Sequence, residues 1–235
     1  MFKDAFKSLF GRPAPDRSLS GTTITPPPPA PRAARPLPEP SVRNSLALEQ
    51  FFSNLEGQDG LRILDLSGAS QANINFVLQY GHHLYCEDLM ATVNDVFGDD
   101  ASEDFYTRQA DEDLMERFLS QTFASLQGPF DGALIWDTMQ FLQPPLLDHA
   151  IGHLHRLLEP NAYVFAFFHA DEKRRWIPAS SYRIENAKTM RVIPRSWKPA
   201  NHIFTNRMLE RTFADFQSTK FFLTRDHVRE LIVRR

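Results

Sequence analysis

Residues Arg62 to Leu89 read RILDLSGASQANINFVLQYGHHLYCEDL, and their reading decides the fold. An apolar strand runs into a tight turn of small residues; a helix follows, and a second strand closes on two acids. A strand ending in small residues lets backbone N–H groups at the start of the next helix approach a ligand. An acid after the second strand is placed to accept from ribose hydroxyls, so the order suits a nucleotide-type ligand. Asp65, Ser67, Gly68 and Ala69 form the turn, and Glu87 and Asp88 are the acids. Any α/β protein also needs small residues where a strand turns into a helix, so the turn alone supports a purely structural reading equally well.

The segments downstream arrive as alternating strands and helices. In FDGALIWDTMQFL, Phe130 to Leu142, Asp131 opens a short apolar run that ends on Trp136 and Asp137. A helix entered through Pro144 and Pro145 extends to Leu158 with a broad apolar face and stops at Glu159-Pro160-Asn161. The chain then enters AYVFAFFH, Ala162 to His169, whose nearly continuous apolar character predicts a strand buried on both faces of a parallel sheet. Asn206 to Phe216 reads as an amphipathic helix, and Ser218 to Arg235 as two strands joined around Asp226-His227.

In this order the chain resembles the class I S-adenosylmethionine (SAM)-dependent methyltransferases over about Asn44 to Arg235. Their first turn reads acid-x-Gly-x-Gly-x-Gly; here the acid is Asp65, the glycine positions hold Ser67, Ala69 and Gln71, and one glycine is displaced to Gly68. The resemblance implies a three-layer Rossmann-like α/β sandwich around a mostly parallel, seven-stranded-type sheet with an antiparallel C-terminal strand. Its cofactor would be SAM, held at its methionine end by Asp65, Ser67, Gly68 and Ala69 and at its ribose by Glu87 or Asp88. Asp137, at the end of the fourth strand, is the candidate for contacting acceptor or methionine, with His169 as a possible base. Each has a bland alternative: an acid at a strand's end caps the next helix, and a histidine there covers the sheet's rim. No third strand is evident between Met90 and Gly128, so the adenine contact is unassigned.

After the fifth strand, Ser180 to Pro194 reads as a hairpin insertion with its turn near Glu185-Asn186, flanked by KRRW and RVIPRSWK. Ligands of open α/β sheets bind outside the carboxyl ends of the strands, where such an insertion forms a wall of the pocket. Tyr182, Arg183, Arg191, Arg195 and Trp197 are accordingly the candidate substrate residues; arginine stems and tryptophans also pack well over an exposed hairpin.

The remaining features bound the function. A net charge of −3 argues against a surface built to neutralise nucleic-acid phosphates, leaving a small molecule or a protein as substrate. The single cysteine, Cys86, excludes an intramolecular disulfide and suits a reducing compartment. With no apolar run near the roughly 18 residues of a membrane span, a cytoplasmic location is expected. His149 and His153 have the i, i+4 spacing of a metal pair, but no nearby Cys or carboxylate completes a site, so no metal is expected.

Residues 1–43 are a different material, expected to be a disordered extension. Arg12 to Pro40 is dominated by proline and alanine and should stay extended and solvated. Before it, Met1 to Arg12 places Phe2, Phe6, Leu9 and Phe10 on one helical face. That short helix either docks on a protein or membrane surface or frays, as helices under roughly 12 residues do in water. Two functional readings follow: methyl transfer from SAM to an unidentified small-molecule or protein acceptor, and a non-catalytic interaction module that has lost the cofactor. The oligomeric state is not legible.

Overall fold

The computed structural model describes residues 35–98, 104–171, 173–200 and 202–235. The N-terminal helix and most of the proline-rich stretch read from the sequence lie outside these. Leu37–Arg235 form one compact unit.

The central sheet follows from the strands read above. β2 (Arg62–Asp65), β3 (His83–Cys86), β4 (Phe130–Trp136) and β5 (Leu158–His169) pair in parallel, in the order β3-β2-β4-β5. β8 (Ser218–Leu223) and β9 (Val228–Arg234) complete it, with β9 inserted antiparallel between β5 and β8. This order, closed by an antiparallel last strand, is the sheet implied by the resemblance to class I methyltransferases. It has six strands. In the stretch that would supply a further strand at the β3 edge, between Met90 and Gly128, the elements of the described chain are helices: α3 (Leu89–Phe97), α4 (Phe105–Arg108) and α5 (Glu112–Phe123).

Alternation along the central strands builds the two faces. Ile63, Leu134, Phe165 and Phe167 pack with Phe51, Phe52 and Leu55 of α1 (Leu46–Leu55) and Val77 of α2 (Gln71–Gln79). Their neighbours Leu64, Ile135, Ala166 and Phe168 pack on the opposite face with α3, α5, α6 (Pro144–Leu157) and Leu209 of α7 (Asn206–Thr212). A strand covered on both sides has no polar face to show, which is why FAFF reads as continuous. Gly132 is small for a packing reason: a Cβ there would lie 3.0 Å from the Phe51 ring.

Two boundaries differ from the sequence reading. β5 begins at Leu158, ahead of the apolar run, because Leu158 pairs with Phe130 before a register shift at the positive-φ residue Asn161 (φ 72°) and its neighbours. α7 stops at Thr212; Phe213 and Phe216 follow in turns and still reach the core, their rings 5.4 Å apart.

The insertion is longer than its centre suggested. β6 (Trp176–Asn186) and β7 (Thr189–Pro199) form the hairpin, and β1 (Ser41–Asn44) adds antiparallel to β7, giving a separate three-stranded sheet. The two sheets are clamped at Glu230, a fully buried carboxylate on β9. It accepts from Arg43 Nε (3.3 Å) and Nη2 (3.0 Å), from Ser45 Oγ (2.8 Å) and from the Ala47 amide (3.3 Å). Arg43 also pairs with Asp226 and donates to Thr224 Oγ1 at 3.1 Å. Among the described residues no helix is long and apolar enough to cross a membrane.

Removing one partner of a buried ion pair strands the other charge. Arg43→Ala is expected to destabilise the protein by about 3–5 kcal/mol, read as a lower urea midpoint. The double change Arg43→Met with Glu230→Leu should recover much of that loss; a single variant within about 0.5 kcal/mol of wild type would show that the clamp holds nothing.

Candidate functional site

β2 ends where its backbone meets the end of β3. The Glu87 amide donates to the Asp65 carbonyl (2.9 Å), the Gly68 amide to the Glu87 carbonyl (3.1 Å) and the Leu89 amide to the Leu66 carbonyl (3.2 Å). Gly68 has φ 88°, a conformation glycine adopts without penalty, and a Cβ there would lie 3.0 Å from Asp88 Oδ2. The one glycine in the turn is therefore needed where it stands. Asp88 caps α3 by accepting the Ala91 amide on Oδ1 at 2.9 Å.

Two cavities open along the carboxyl ends of β2 and β4. One, of about 330 Å³, lies between Ser67 to Ala72 and residues Ser181, Tyr182, Arg183 and Arg195 of the hairpin. The other, of about 390 Å³, is lined by Asp88, Met90, Ala91 and Asn94 on one side and by Thr138, Ser196 and Lys198 on others. They share Ser67, Ser181 and Arg195. Lys198, only 2% exposed, donates to Asn94 Oδ1 at 3.1 Å and stands 5.2 Å over the Phe105 ring.

Asp65 does not face this cleft. It is fully buried and accepts from four donors: the Ser67 amide (2.9 Å), Ser67 Oγ (2.8 Å), Trp136 Nε1 (2.7 Å) and Asn73 Nδ2 (3.0 Å). Burial raises its pKa, and these donors oppose the rise. Asn73 continues the network into the hairpin, donating to the Tyr182 carbonyl (3.2 Å) and accepting the Ile184 amide (2.8 Å). Trp136 takes φ 59°, strained for a bulky residue, and its indole stacks on the Tyr182 ring at 4.9 Å and 4°.

Asp137 is also sealed. It is buried beneath Tyr182, whose hydroxyl bonds to it, and Gln140 Nε2 donates to its Oδ2 at 3.1 Å. Burial pushes its pKa up to about 7 and holds that of Tyr182 well above the usual phenol value. Gln140 Oε1 in turn accepts the His169 amide at 3.1 Å. The His169 ring lies instead on a third cavity, of about 280 Å³, with Arg43, Arg174 and Asp226; Tyr182 is common to this cavity and the first. Burial, then Arg174 and Arg43, push the His169 pKa down to about 4, so the ring is neutral at neutral pH.

Of the residues singled out from the sequence, the fold brings Ser67, Gly68, Ala69, Asp88, Tyr182, Arg183 and Arg195 around one cleft. Asp65 and Asp137 lie beneath it. Glu87, half-buried, lines neither cavity, so Asp88 is the acid on the cleft. Arg191 points its guanidinium to Glu185 (2.6 Å), and Trp197 lines neither cavity. Lys198 and Asn73 were not singled out. Lys198 belongs to the basic run that the sequence displayed, and Asn73 shares an inward helical face with Val77, a polar residue at a core position. His149 and His153 line an open groove of about 530 Å³ between α5 and α6, where His153 stacks on Phe123 at 5.5 Å. Among the described residues no cluster of three or more His, Cys, Asp or Glu could hold a metal. Burial and the nearby Asp65 push the Cys86 thiol up to about 11, which leaves it protonated.

No protein-family description matches the chain, and no curated protein does. Solved structures do. A SAM-dependent methyltransferase from Methanosarcina mazei is 14% identical, with 78% of this chain and 96% of that one covered and a TM-score of 0.43. Magnesium protoporphyrin IX methyltransferase from Synechocystis PCC 6803, with bound SAM, is 14% identical over 80% of this chain and 76% of that one, TM-score 0.43. A SAM-dependent methyltransferase from Clostridium acetobutylicum is 9% identical over 80% and 90%, TM-score 0.44. The fold is read from strand order and not from these likenesses.

The Asp137 carboxyl generates a pH test. Its folded pKa, about 7, lies above the ordinary 3.8, so the folded state favours the neutral acid. The associated stability is complete below the unfolded value and is lost as pH rises through about 7. Asp137→Asn mimics the neutral form at every pH. Its melting temperature relative to wild type should be higher at pH 8.5 than at pH 5; a constant difference across that range would remove the assignment.

Proposed function

We propose that the domain binds SAM across the two adjoining cavities and transfers its methyl group to a small-molecule or protein acceptor. The observation that carries this reading is the junction of the cavities at Ser67, Ser181 and Arg195, along the carboxyl ends of β2 and β4. Open α/β sheets bind ligands at that edge, and the volumes are those of ligand pockets. The residues fit the cofactor in chemical type. Gly68 keeps backbone close to the cleft, Asp88 has Oδ2 left after Oδ1 caps α3, and Met90 and Ala91 offer an apolar wall for a base. Ser67 and Ala69 stand with Gly68 at the methionine end.

When bound, SAM supplies an electrophilic methyl on a sulfonium. The chain's task is then alignment of that carbon with the acceptor, which accounts for a large share of such a barrier. Asp137 and His169 do not reach either cavity, so this reading makes Asp137 a positioning residue that holds Tyr182 at the cleft wall. Where the acceptor must lose a proton, solvent receives it; an acceptor already deprotonated needs no base. A cytoplasmic location remains part of the proposal, as does a protein or membrane partner for the N-terminal helix.

A specific observation favours the second reading, a module without cofactor. Asp65 spends its oxygens on internal donors, and Gln71 stands on the cleft where the family has a glycine. Calorimetric titration of the full chain with SAM and S-adenosylhomocysteine separates the two. The methyl-transfer reading expects saturable binding of both, weakened about tenfold or more in Asp88→Asn, a change that keeps a good helix cap. No binding at millimolar ligand by a folded wild type would leave the interaction module.

A further inference from the structure

The cleft is charged unevenly. Arg183 and Arg195 line the first cavity, whose wall holds no carboxylate among the described residues; Asp88 lies on the second. Among the described residues neither Arg183 nor Arg195 lies within ion-pair distance of a carboxylate, a state shared with most arginines here; what sets these two apart is that they face one cavity. Both are exposed, one on each strand of the hairpin. Arg195 donates Nε to Ser181 Oγ at 2.9 Å, which fixes the side chain while sparing the terminal nitrogens of its fork. The first turn of α2 adds N–H groups without helical partners, and its cap residue Ser70 makes no side-chain capping bond.

SAM does not neutralise such a site. Its sulfonium and ammonium outweigh its one carboxylate, so its binding leaves the cleft more positive. An anionic third component is drawn to this end of the cleft both by the two arginines and by the net positive charge of the bound cofactor. We propose that the methyl acceptor carries an oxyanion, phosphate or carboxylate, seated between Arg183 and Arg195 at the first turn of α2. The inference rests on the methyl-transfer reading of the cleft, and it assigns the two arginines of the insertion to acceptor selection. Guanidinium forks match both anions in a two-point geometry.

The test uses the full chain and two probes, inorganic pyrophosphate and citrate, titrated calorimetrically at ionic strength held constant with sodium chloride. Arg183→Gln and Arg195→Gln change exposed side chains, and thermal melts by circular dichroism check that they fold. Lys188→Gln, at the hairpin tip, is the control for an equal loss of charge. Saturable binding of either probe is expected, weakened at least tenfold by each arginine change and less than twofold by Lys188→Gln; the tighter probe identifies phosphate or carboxylate as the group. The bound probe should also tighten SAM more than S-adenosylhomocysteine, since only SAM carries the sulfonium charge, and by linkage SAM should tighten the probe by the same factor. Absence of probe binding by wild type, or equal losses in Lys188→Gln, overturns the proposal. S-adenosylhomocysteine binding without probe binding overturns the oxyanion seat alone. Probe binding at the arginines without S-adenosylhomocysteine binding supports that seat and overturns methyl transfer.

Discussion

A carboxylate without access to water, Asp65, joins the four segments from which the cleft is made. It takes the Ser67 turn, the Trp136 indole at the end of β4 and the Asn73 amide of α2, and through Asn73 it reaches the backbone of β6. Each donor is otherwise buried or committed, so the carboxylate has no neutral substitute that satisfies all four. The cost of burying the acid appears as its raised pKa, and the return is one fixed geometry for turn, sheet edge, helix and hairpin. A partly satisfied network of this kind would cost more than an apolar core, which ties the four segments into one cooperative unit.

That network decides what the cleft can be. The hairpin comes down on the sheet's carboxyl edge through the stacked Trp136 and Tyr182 rings, with Asp137 beneath them. The strained backbone of Trp136 is held by its bond to Asp65 and by that stacking. As a result the acids at the ends of β2 and β4 line neither cavity, and the walls of the cleft come from the small-residue turn, from α3 and from the insertion. His169 sits beyond Tyr182, on a cavity shared with the Arg43 clamp, where burial keeps it neutral. The insertion thus contributes both the roof of the cleft and most of its charge.

Much of the sheet was legible along the chain. Small residues after RILDL, the proline entry to α6, the unbroken AYVFAFFH and the final pair of strands each obey a local rule, and together they order the elements of an α/β sandwich. β1 was not legible: Ser41–Asn44 is mostly exposed and follows a proline run, so it has neither alternation nor burial to announce it. The start of β5 was obscured because Leu158 to Asn161 pairs by backbone, with exposed side chains at Pro160 and Asn161. Of the candidate residues, Ser67, Gly68, Ala69 and Asp88, chosen for their place in the strand-turn-helix order, line the cleft. Asp65 and Asp137, chosen by the same rule, are sealed, since a strand's end says nothing of what packs over it.

Sequence by itself determined the secondary structure of the central sheet, the antiparallel ending and the position of an insertion at the ligand edge, because periodicity, turn chemistry and capping act over a few neighbouring residues. Only tertiary structure decided which acids meet the cleft, which arginines line it and where the hairpin lands. Those outcomes depend on contacts such as Asn73 with Tyr182 and Arg43 with Glu230, between residues more than a hundred positions apart. No local rule encodes the burial or the partner of a side chain at that distance, and burial and partners are what set the charge and access of a site.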